Sequence, residues 1–251
     1  MADAYTADST HANGHYVNGE AASAMENDAR RPGQAMGLGG SSRREAEPFD
    51  ALLWRLQARQ SATAFTASTL GLVGCGERVG VTTLAANLAV RASELGLGPV
   101  LLVESETARP KLRKAWRLPA GPGLAELLSG EAGYADCVQA GPAADLEVIC
   151  ATGRRGGPIG WDAGAVDALL AEACADHRLV LFDLAAAGKL GGAGALARRL
   201  DQVLLVVGAE STRSDDAARI ADRLREDGVP ITGAVLNRER RYVPRWLSRW
   251  I

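Results

Sequence analysis

The chain has 251 residues, 47% of them hydrophobic and 23% charged, which is enough for one large α/β core with appendages and excludes a small fold that depends on disulfides. Its formal net charge of −2 lacks the basic footprint that duplex nucleic acid requires, so we expect no nucleic-acid partner. The four cysteines form no C-x-x-C pair, so we expect the reducing environment of the cytoplasm. No apolar run reaches the roughly 18 residues of a membrane span, so we expect any membrane contact to be peripheral.

Residues 1–44 are predicted to be a disordered tail, and residues 45–251 to form the folded domain. The tail is rich in small and polar residues and shows neither the period of a strand nor that of a helix. A flexible leader is favoured over modification sites at its isolated Tyr5 and Tyr16. His11 and His15 have helical spacing, but no third ligand lies near them, so they indicate no metal site.

Short apolar strands alternate with helices along the domain. An amphipathic helix is predicted over Pro48–Gln60, where apolar residues share one helical face. The elements predicted after it are strand Thr69–Gly74, helix Thr82–Leu95, strand Pro99–Val103, helix Leu124–Leu128, strand Leu146–Cys150, helix Ala163–Ala175, strand Leu179–Leu184, helix Ala193–Arg199, strand Gln202–Val207, helix Ser214–Glu226, strand Ile231–Leu236 and a turn or helix Pro244–Trp250. Apolar strands that alternate with helices require a parallel sheet covered on both faces, so the predicted fold is α/β, a doubly wound, mostly parallel sheet.

A phosphate-binding loop is predicted between the first strand and the next helix. A glycine-containing turn that runs into Thr82–Thr83 is how P-loop folds wrap backbone N–H groups around phosphate. The expected nucleotide-contacting residues in the loop are Gly76, Glu77, Arg78, Gly80, Val81, Thr82 and Thr83. The signature has lysine where Val81 stands, and that lysine carries the charge that reaches the β- and γ-phosphates. Arg78 either replaces this charge or is a solvated loop residue.

Polar residues follow three further strands, at the edge where ligands of doubly wound folds bind. Glu104 and Glu106 follow one strand, Asp183 ends another in the manner of a Walker B aspartate, and Asn237 ends the last. We expect Glu104 and Asp183 to be the catalytic acids and, together with Thr82, to hold Mg²⁺ if nucleotide binds. Asn237 is expected to face a purine. The alternative is that the glutamates are solvated and that Asp183 caps the next turn.

Several segments resemble the cytoplasmic domain of bacterial tyrosine autokinases, which belong to the ParA/MinD-like class of P-loop NTPases. The matching segments, in the order of that family, are residues 47–57, 76–89, 100–106, 109–110, 121–131, 202–207 and 212–213. The resemblance implies a P-loop NTPase-like fold and ATP or ADP with Mg²⁺ as the cofactor. It also implies a homo-oligomer and an inner-membrane partner, a polysaccharide co-polymerase or chain-length regulator of capsule and exopolysaccharide assembly.

The chain departs from this family where the chemistry should lie. The family's loop lysine is Val81 here, its two strand-end aspartates correspond to Glu104 and Glu106, and the arginine after them is Ala108. The oligomerisation helix of the family carries Glu, Arg and Arg where this chain has Glu47, Asp50 and Leu53. The proline pair that the family has after Asp183 is missing here. The family's C-terminal tyrosine cluster is reduced to the single Tyr242.

These departures predict a degenerate member, a pseudokinase-like accessory protein of exopolysaccharide polymerisation or export that binds ATP weakly or binds no cofactor. Phosphoryl transfer is catalysed mostly by electrostatic stabilisation, so loss of the lysine removes several kcal/mol of it. The alternative is an active ATPase or tyrosine autokinase in which Arg78 supplies the charge. A second alternative is a ParA/MinD-like positioning factor, and the matches at 109–110 and 124–128 weigh against it.

The segment after Asn237 is basic and contains tryptophan. It carries arginines at 238, 240, 241, 245 and 249 beside Trp246, Leu247 and Trp250. Arginine with tryptophan suits both lipid headgroups and protein interfaces, so we expect a contact with the partner or the membrane. The alternative is that the tryptophans pack onto the domain.

Overall fold

The computed structural model describes residues 43–58, 67–105, 110–152 and 161–238. The predictions for residues 1–42, for Glu106 and Ala108, and for the segment after Arg238 lie outside these described residues. The first described helix begins at Arg43, slightly before the predicted start of the domain, and it contains Pro48.

Seven strands form one sheet in the order β3-β4-β2-β5-β1-β6-β7 within the described part of the chain. The strands are β1 (Ser68–Gly74), β2 (Val100–Glu104), β3 (Val138–Ala140), β4 (Leu146–Ile149), β5 (Leu179–Asp183), β6 (Gln202–Gly208) and β7 (Ile231–Asn237). Neighbouring strands are parallel except β3, which runs antiparallel to β4 at the sheet edge. The predicted doubly wound, mostly parallel sheet is therefore confirmed.

Helices connect the strands and lie on both faces of the sheet. They are α1 (Arg43–Ala58), α2 (Val81–Glu94), α3 (Leu112–Ala115), α4 (Leu124–Leu128), α5 (Tyr134–Cys137), α6 (Ala163–Asp176), α7 (Ala193–Ala197) and α8 (Ser214–Glu226), with a 3₁₀ helix at Ala187–Lys189. The sequence did not predict α3, α5 or β3, because elements of three or four residues are too short to show a period. Within the described ranges, no helix is long and apolar enough to cross a membrane.

The strands are apolar throughout because the sheet separates two cores. On β2, Leu101 and Val103 contact the core covered by α6, α7 and α8, whereas Val100 and Leu102 contact the core covered by α2. Side chains of a strand alternate between faces, so burial on both faces removes the polar positions that a half-exposed strand would show. The sheet is therefore a rigid platform whose carboxyl edge holds the site described below.

Helix α1 packs on α2 through apolar contacts and one ion pair. Leu53 and Leu56 are buried against the core on the α2 side of the sheet. The Arg91 guanidinium donates to both carboxylate oxygens of Asp50, with Nε 2.5 Å from Oδ1 and Nη2 2.9 Å from Oδ2. This bidentate pair joins the amphipathic helix to the helix that starts at the phosphate loop.

Candidate functional site

The phosphate loop leaves the central strand of the sheet and enters α2 through a left-handed glycine. Strand β1 lies between β5 and β6, and all seven of its residues are buried. Gly80 precedes α2 with φ of +95°, a conformation that disfavours side chains, and the N–H of Leu84 donates to its carbonyl at 2.9 Å. The N–H groups of the first turn of α2 are therefore directed toward the loop, as a phosphate cradle requires.

All seven predicted loop residues line one cavity of about 250 Å³. The lining residues that the sequence predicted are Gly76, Glu77, Arg78, Gly80, Val81, Thr82, Thr83 and Asp183. Asp183 comes from the end of β5, where it lies in register with Leu72 of β1 and Glu104 of β2. The topology thus brings the loop and the Walker B-like aspartate together, as expected from adjacent parallel strands.

The residue that replaces the loop lysine packs against apolar neighbours. A Cβ on Gly74 would lie 3.1 Å from Cγ2 of Val81 and 3.0 Å from Cγ2 of Val79. Val81 is also one of the partly buried residues that contact the core on the α2 side. Position 81 therefore closes the base of the loop with hydrocarbon, and it brings no charge to the cavity.

Glu104, which the sequence predicts to be a catalytic acid and Mg²⁺ ligand, is not among the residues that line the cavity. Its side chain is 1% exposed, and its carboxylate accepts hydrogen bonds from the N–H groups of Lys111 (2.6 Å), Leu112 (3.1 Å) and Ala151 (3.2 Å). Burial raises the pKa of this carboxyl, although the three donors oppose the shift. In this arrangement Glu104 anchors the start of α3 and the segment after β4.

Asn237 lies behind the phosphate loop and is not among the residues that line the cavity. Its Nδ2 donates to the carbonyl of Val79 at 2.9 Å, and its Oδ1 accepts from the N–H of Arg238 at 2.9 Å. Both ends of the amide are therefore engaged with backbone, which differs from the predicted contact with a purine. The sequence placed Asn237 at the correct edge, but its amide is bonded to the carbonyl of Val79 in the loop and to the N–H of Arg238.

Three cationic residues that the sequence did not assign to the phosphate site also line the cavity. Lys111 follows β2, Lys189 ends the 3₁₀ helix after β5, and Arg238 follows β7 with φ of +62°. Lys189 forms an ion pair with Glu77 of the loop. With Arg78, four cationic and two anionic side chains line the cavity within the described residues, so its charge favours an anion. The signal that could have found Lys189 is its position six residues after the strand-end aspartate.

Oxygen donors for a magnesium ion are present but few. Thr82 and Asp183 both line the cavity, and Asp183 is 1% exposed. Within the described ranges, no three His, Cys, Asp or Glu residues are grouped to hold a metal ion. A P-loop magnesium takes most of its ligands from phosphate and water, so a hydroxyl and one carboxylate fit that kind of site. The four cysteines are free thiols.

Comparison with known proteins relates the chain to bacterial tyrosine kinases. It is 28% identical over 164 residues to the tyrosine-protein kinase YwqD of Bacillus subtilis, a match that covers 63% of this chain and 67% of that protein. The kinase domain of the Escherichia coli tyrosine kinase ETK superposes with a TM-score of 0.69 at 22% identity, covering 80% of this chain and 79% of that one. No family model matches the chain.

A MinD structure has the same fold. The septum site-determining protein MinD of Pyrococcus horikoshii, complexed with Mg-ADP, superposes with a TM-score of 0.60 at 20% identity, covering 73% of this chain and 76% of that one. The predicted resemblance is therefore confirmed. The chain is a homologue of bacterial tyrosine-protein kinases and has a MinD-like P-loop NTPase fold.

Proposed function

We propose that this homologue of the bacterial tyrosine-protein kinases is a degenerate member, an accessory or regulatory protein of exopolysaccharide or capsule polymerisation and export. The observation that carries the proposal is Val81, which stands at the position of the phosphate-directed lysine and packs its side chain close to Gly74 and against the core on the α2 side. Because phosphoryl transfer depends on charge placed at the transferring phosphate, a cradle with hydrocarbon there is a poor catalyst.

The remaining parts of the site support retention of the fold without efficient chemistry. Thr82 and Asp183 would hold Mg²⁺ if a nucleotide binds, and the ion would neutralise charge on the phosphates. The Glu104 carboxylate accepts hydrogen bonds from three backbone N–H groups and does not line the cavity. The cavity therefore lacks a second strand-end carboxylate beside that of Asp183. We therefore infer weak ATP binding and very slow hydrolysis.

The partner in this proposal is an inner-membrane polysaccharide co-polymerase or chain-length regulator, with the chain peripheral to the membrane on the cytoplasmic side. The support is the tyrosine-kinase relationship together with the matched segments named above. A homo-oligomer formed through α1 belongs to the same proposal. Asp50 on that helix is paired with Arg91 of its own chain, so this carboxylate is engaged before any second copy binds.

Genetic complementation tests the proposal. Deletion of the gene should lower the amount of extracellular polysaccharide, and an Asp183→Asn copy should restore it as well as the unmodified gene does, because no phosphoryl transfer is required. Equal expression and melting temperature of the two proteins provide the control. Restoration by the unmodified gene alone would contradict the accessory role, and an unchanged polysaccharide level on deletion would contradict the pathway.

One observation favours a second candidate, an active ATPase or tyrosine autokinase. The cations Lys111, Lys189 and Arg238 reach the cavity from outside the loop, and with Arg78 they could supply the charge that Val81 does not. This candidate predicts that Asp183→Asn fails in the same complementation. The likeness to MinD is a likeness of fold at 20% identity and does not favour a positioning factor.

A further inference from the structure

The phosphate loop lacks its lysine, but lysines on the connections after two other strands line the cavity. Lys189 lies on the connection after β5, and Lys111 lies on the connection after β2. Strands β2, β5 and β1 are neighbours, so the connections that leave their carboxyl ends meet above the loop. Two lysines therefore surround the cradle without being part of the P-loop sequence.

The structure holds each lysine in place by a different device. The backbone N–H of Lys111 is bonded to Oε1 of buried Glu104, and α3 begins at the next residue. Lys189 is the last residue of the 3₁₀ helix, and its backbone N–H donates to the carbonyl of Ala186 at 2.7 Å. Its side chain is 60% exposed and is paired with the 51% exposed Glu77. An exposed pair of this kind contributes little to stability, so a stronger anion can displace Glu77.

The cavity matches a phosphate chain better than it matches a nucleoside. The first turn of α2, a helix of fourteen residues, presents backbone N–H groups and the positive end of its dipole. Arg78, Lys111, Lys189 and Arg238 add full charges around it. Asn237, the side chain expected to read a base, is bonded to Val79 and Arg238 instead. The described residues thus offer contacts to phosphates, whereas the side chain expected to face a base is engaged with backbone groups.

We infer that the cradle binds a linear phosphate chain, either that of a nucleoside di- or triphosphate or that of free polyphosphate. Lys189 and Lys111 supply the counter-charges in place of a loop lysine, and Glu77 is the competitor that the ligand displaces from Lys189. The inference rests on the proposed function, because it names the ligand class of the same degenerate site. A site built in this way holds the ligand as a structural effector and leaves position 81 without a catalytic cation.

Titration calorimetry on the full chain tests the inference with ATP and inorganic tripolyphosphate, each with Mg²⁺. Lys189→Ala should weaken both ligands by about tenfold or more, as expected for loss of a charge-assisted contact to phosphate, and Lys111→Ala should act in the same direction. Glu77→Gln should tighten both ligands because it frees Lys189. Lys114→Ala is the matched control, since Lys114 is an exposed neighbour on α3 that does not line this cavity.

The two ligands distinguish the sources of the phosphate chain. Equal affinities assign the site to any linear polyphosphate, and tighter binding of ATP assigns it to a nucleotide. Either outcome supports the inference if Lys189→Ala weakens the binding of both ligands. Binding that Lys189→Ala leaves unchanged, or no binding of either ligand, overturns it. The proposed function fails separately, by ATP turnover at the rate of an active kinase, whatever the outcome of the titration. Melting temperatures of the variants establish that they are folded.

Discussion

Nδ2 of Asn237, the last residue of β7, lies 2.9 Å from the carbonyl oxygen of Val79 in the phosphate loop. The backbone carbonyl of Asn237 accepts a hydrogen bond from the N–H of Ala209, which follows β6. The edge strand therefore holds the loop from behind, although the two segments are 158 residues apart in the chain. Loop geometry at this site depends on a distant strand as well as on the loop's own glycines.

Asn237→Ala should loosen this support. We expect a loss of about 1 kcal/mol in the free energy of unfolding, the size of one hydrogen bond, and weaker binding of phosphate ligands. Denaturant unfolding and titration calorimetry measure the two effects. Leu236→Ala is the control, because that side chain is 59% exposed on the same strand. Equal stability of the two variants would show that the bond to Val79 contributes nothing.

Gly80→Ala should destabilise the chain more than Gly96→Ala does. Both glycines have positive φ, +95° and +66°, so each substitution introduces left-handed strain of roughly 1–2 kcal/mol. A Cβ at Gly80 would also lie 2.5 Å from Nδ2 of Asn237, whereas nothing lies within 4 Å at Gly96. We expect a further loss of about 1 kcal/mol or more at Gly80, measured by denaturant unfolding. A cost no larger than that of Gly96→Ala would mean that Asn237 moves away freely.

The ion pair between Asp50 and Arg91 should give the contact of α1 with α2 a dependence on pH. Its hydrogen bonds from Arg91 lower the pKa of Asp50 below the ordinary value of 3.8. A lowered carboxyl pKa means that the stabilisation is present above the unfolded value and is lost as pH falls through the folded value. Asp50→Asn should therefore lower the melting temperature at pH 7 and have no effect at the acid end of the range.

The comparison for this pair is Glu94→Gln. Glu94 binds the same guanidinium through one contact of 3.1 Å and is more exposed than Asp50, so its loss should change the melting temperature less. An effect of Asp50→Asn that persists unchanged below pH 3 would contradict the assignment to the ion pair.

The sequence predicted the elements whose signal is local. The strand before the loop, the glycine turn and the helix at Thr82 are encoded by neighbouring residues, and α4 lies at the predicted Leu124–Leu128. The roles of Glu104 and Asn237 could not be predicted in this way. Both end strands at the expected edge, but their hydrogen bonds to Lys111, Ala151 and Val79 join backbone groups of segments that only the folded path of the chain brings near.

The two lysines of the cavity were missed for the same reason. Lys111 and Lys189 belong to no recognisable motif, and their positions depend on the connections after β2 and β5. Comparison with the P-loop motif shows that position 81 lacks the lysine. The motif contains no information about cationic residues that lie on other loops. The convergence of side chains from separate connections is a property of the tertiary structure.

Removal of residues 239–251 should separate the two interpretations of the basic C-terminal segment, which lies outside the described residues. Truncation after Arg238 keeps the last cation of the cavity. We expect association with the membrane fraction to be lost while the melting temperature stays unchanged, as for a docking segment. A large fall in melting temperature would instead mean that Trp246 and Trp250 belong to the core.

The most direct test of degeneracy is incubation of the purified full chain with γ-labelled ATP and Mg²⁺, followed by quantification of phosphotyrosine and released phosphate. Because Val81 provides no charge to the transferring phosphate, we predict no phosphotyrosine and no more phosphate release than an Asp183→Asn variant gives. Strong labelling of Tyr242 that disappears in Asp183→Asn would contradict the account and identify the chain as an active kinase.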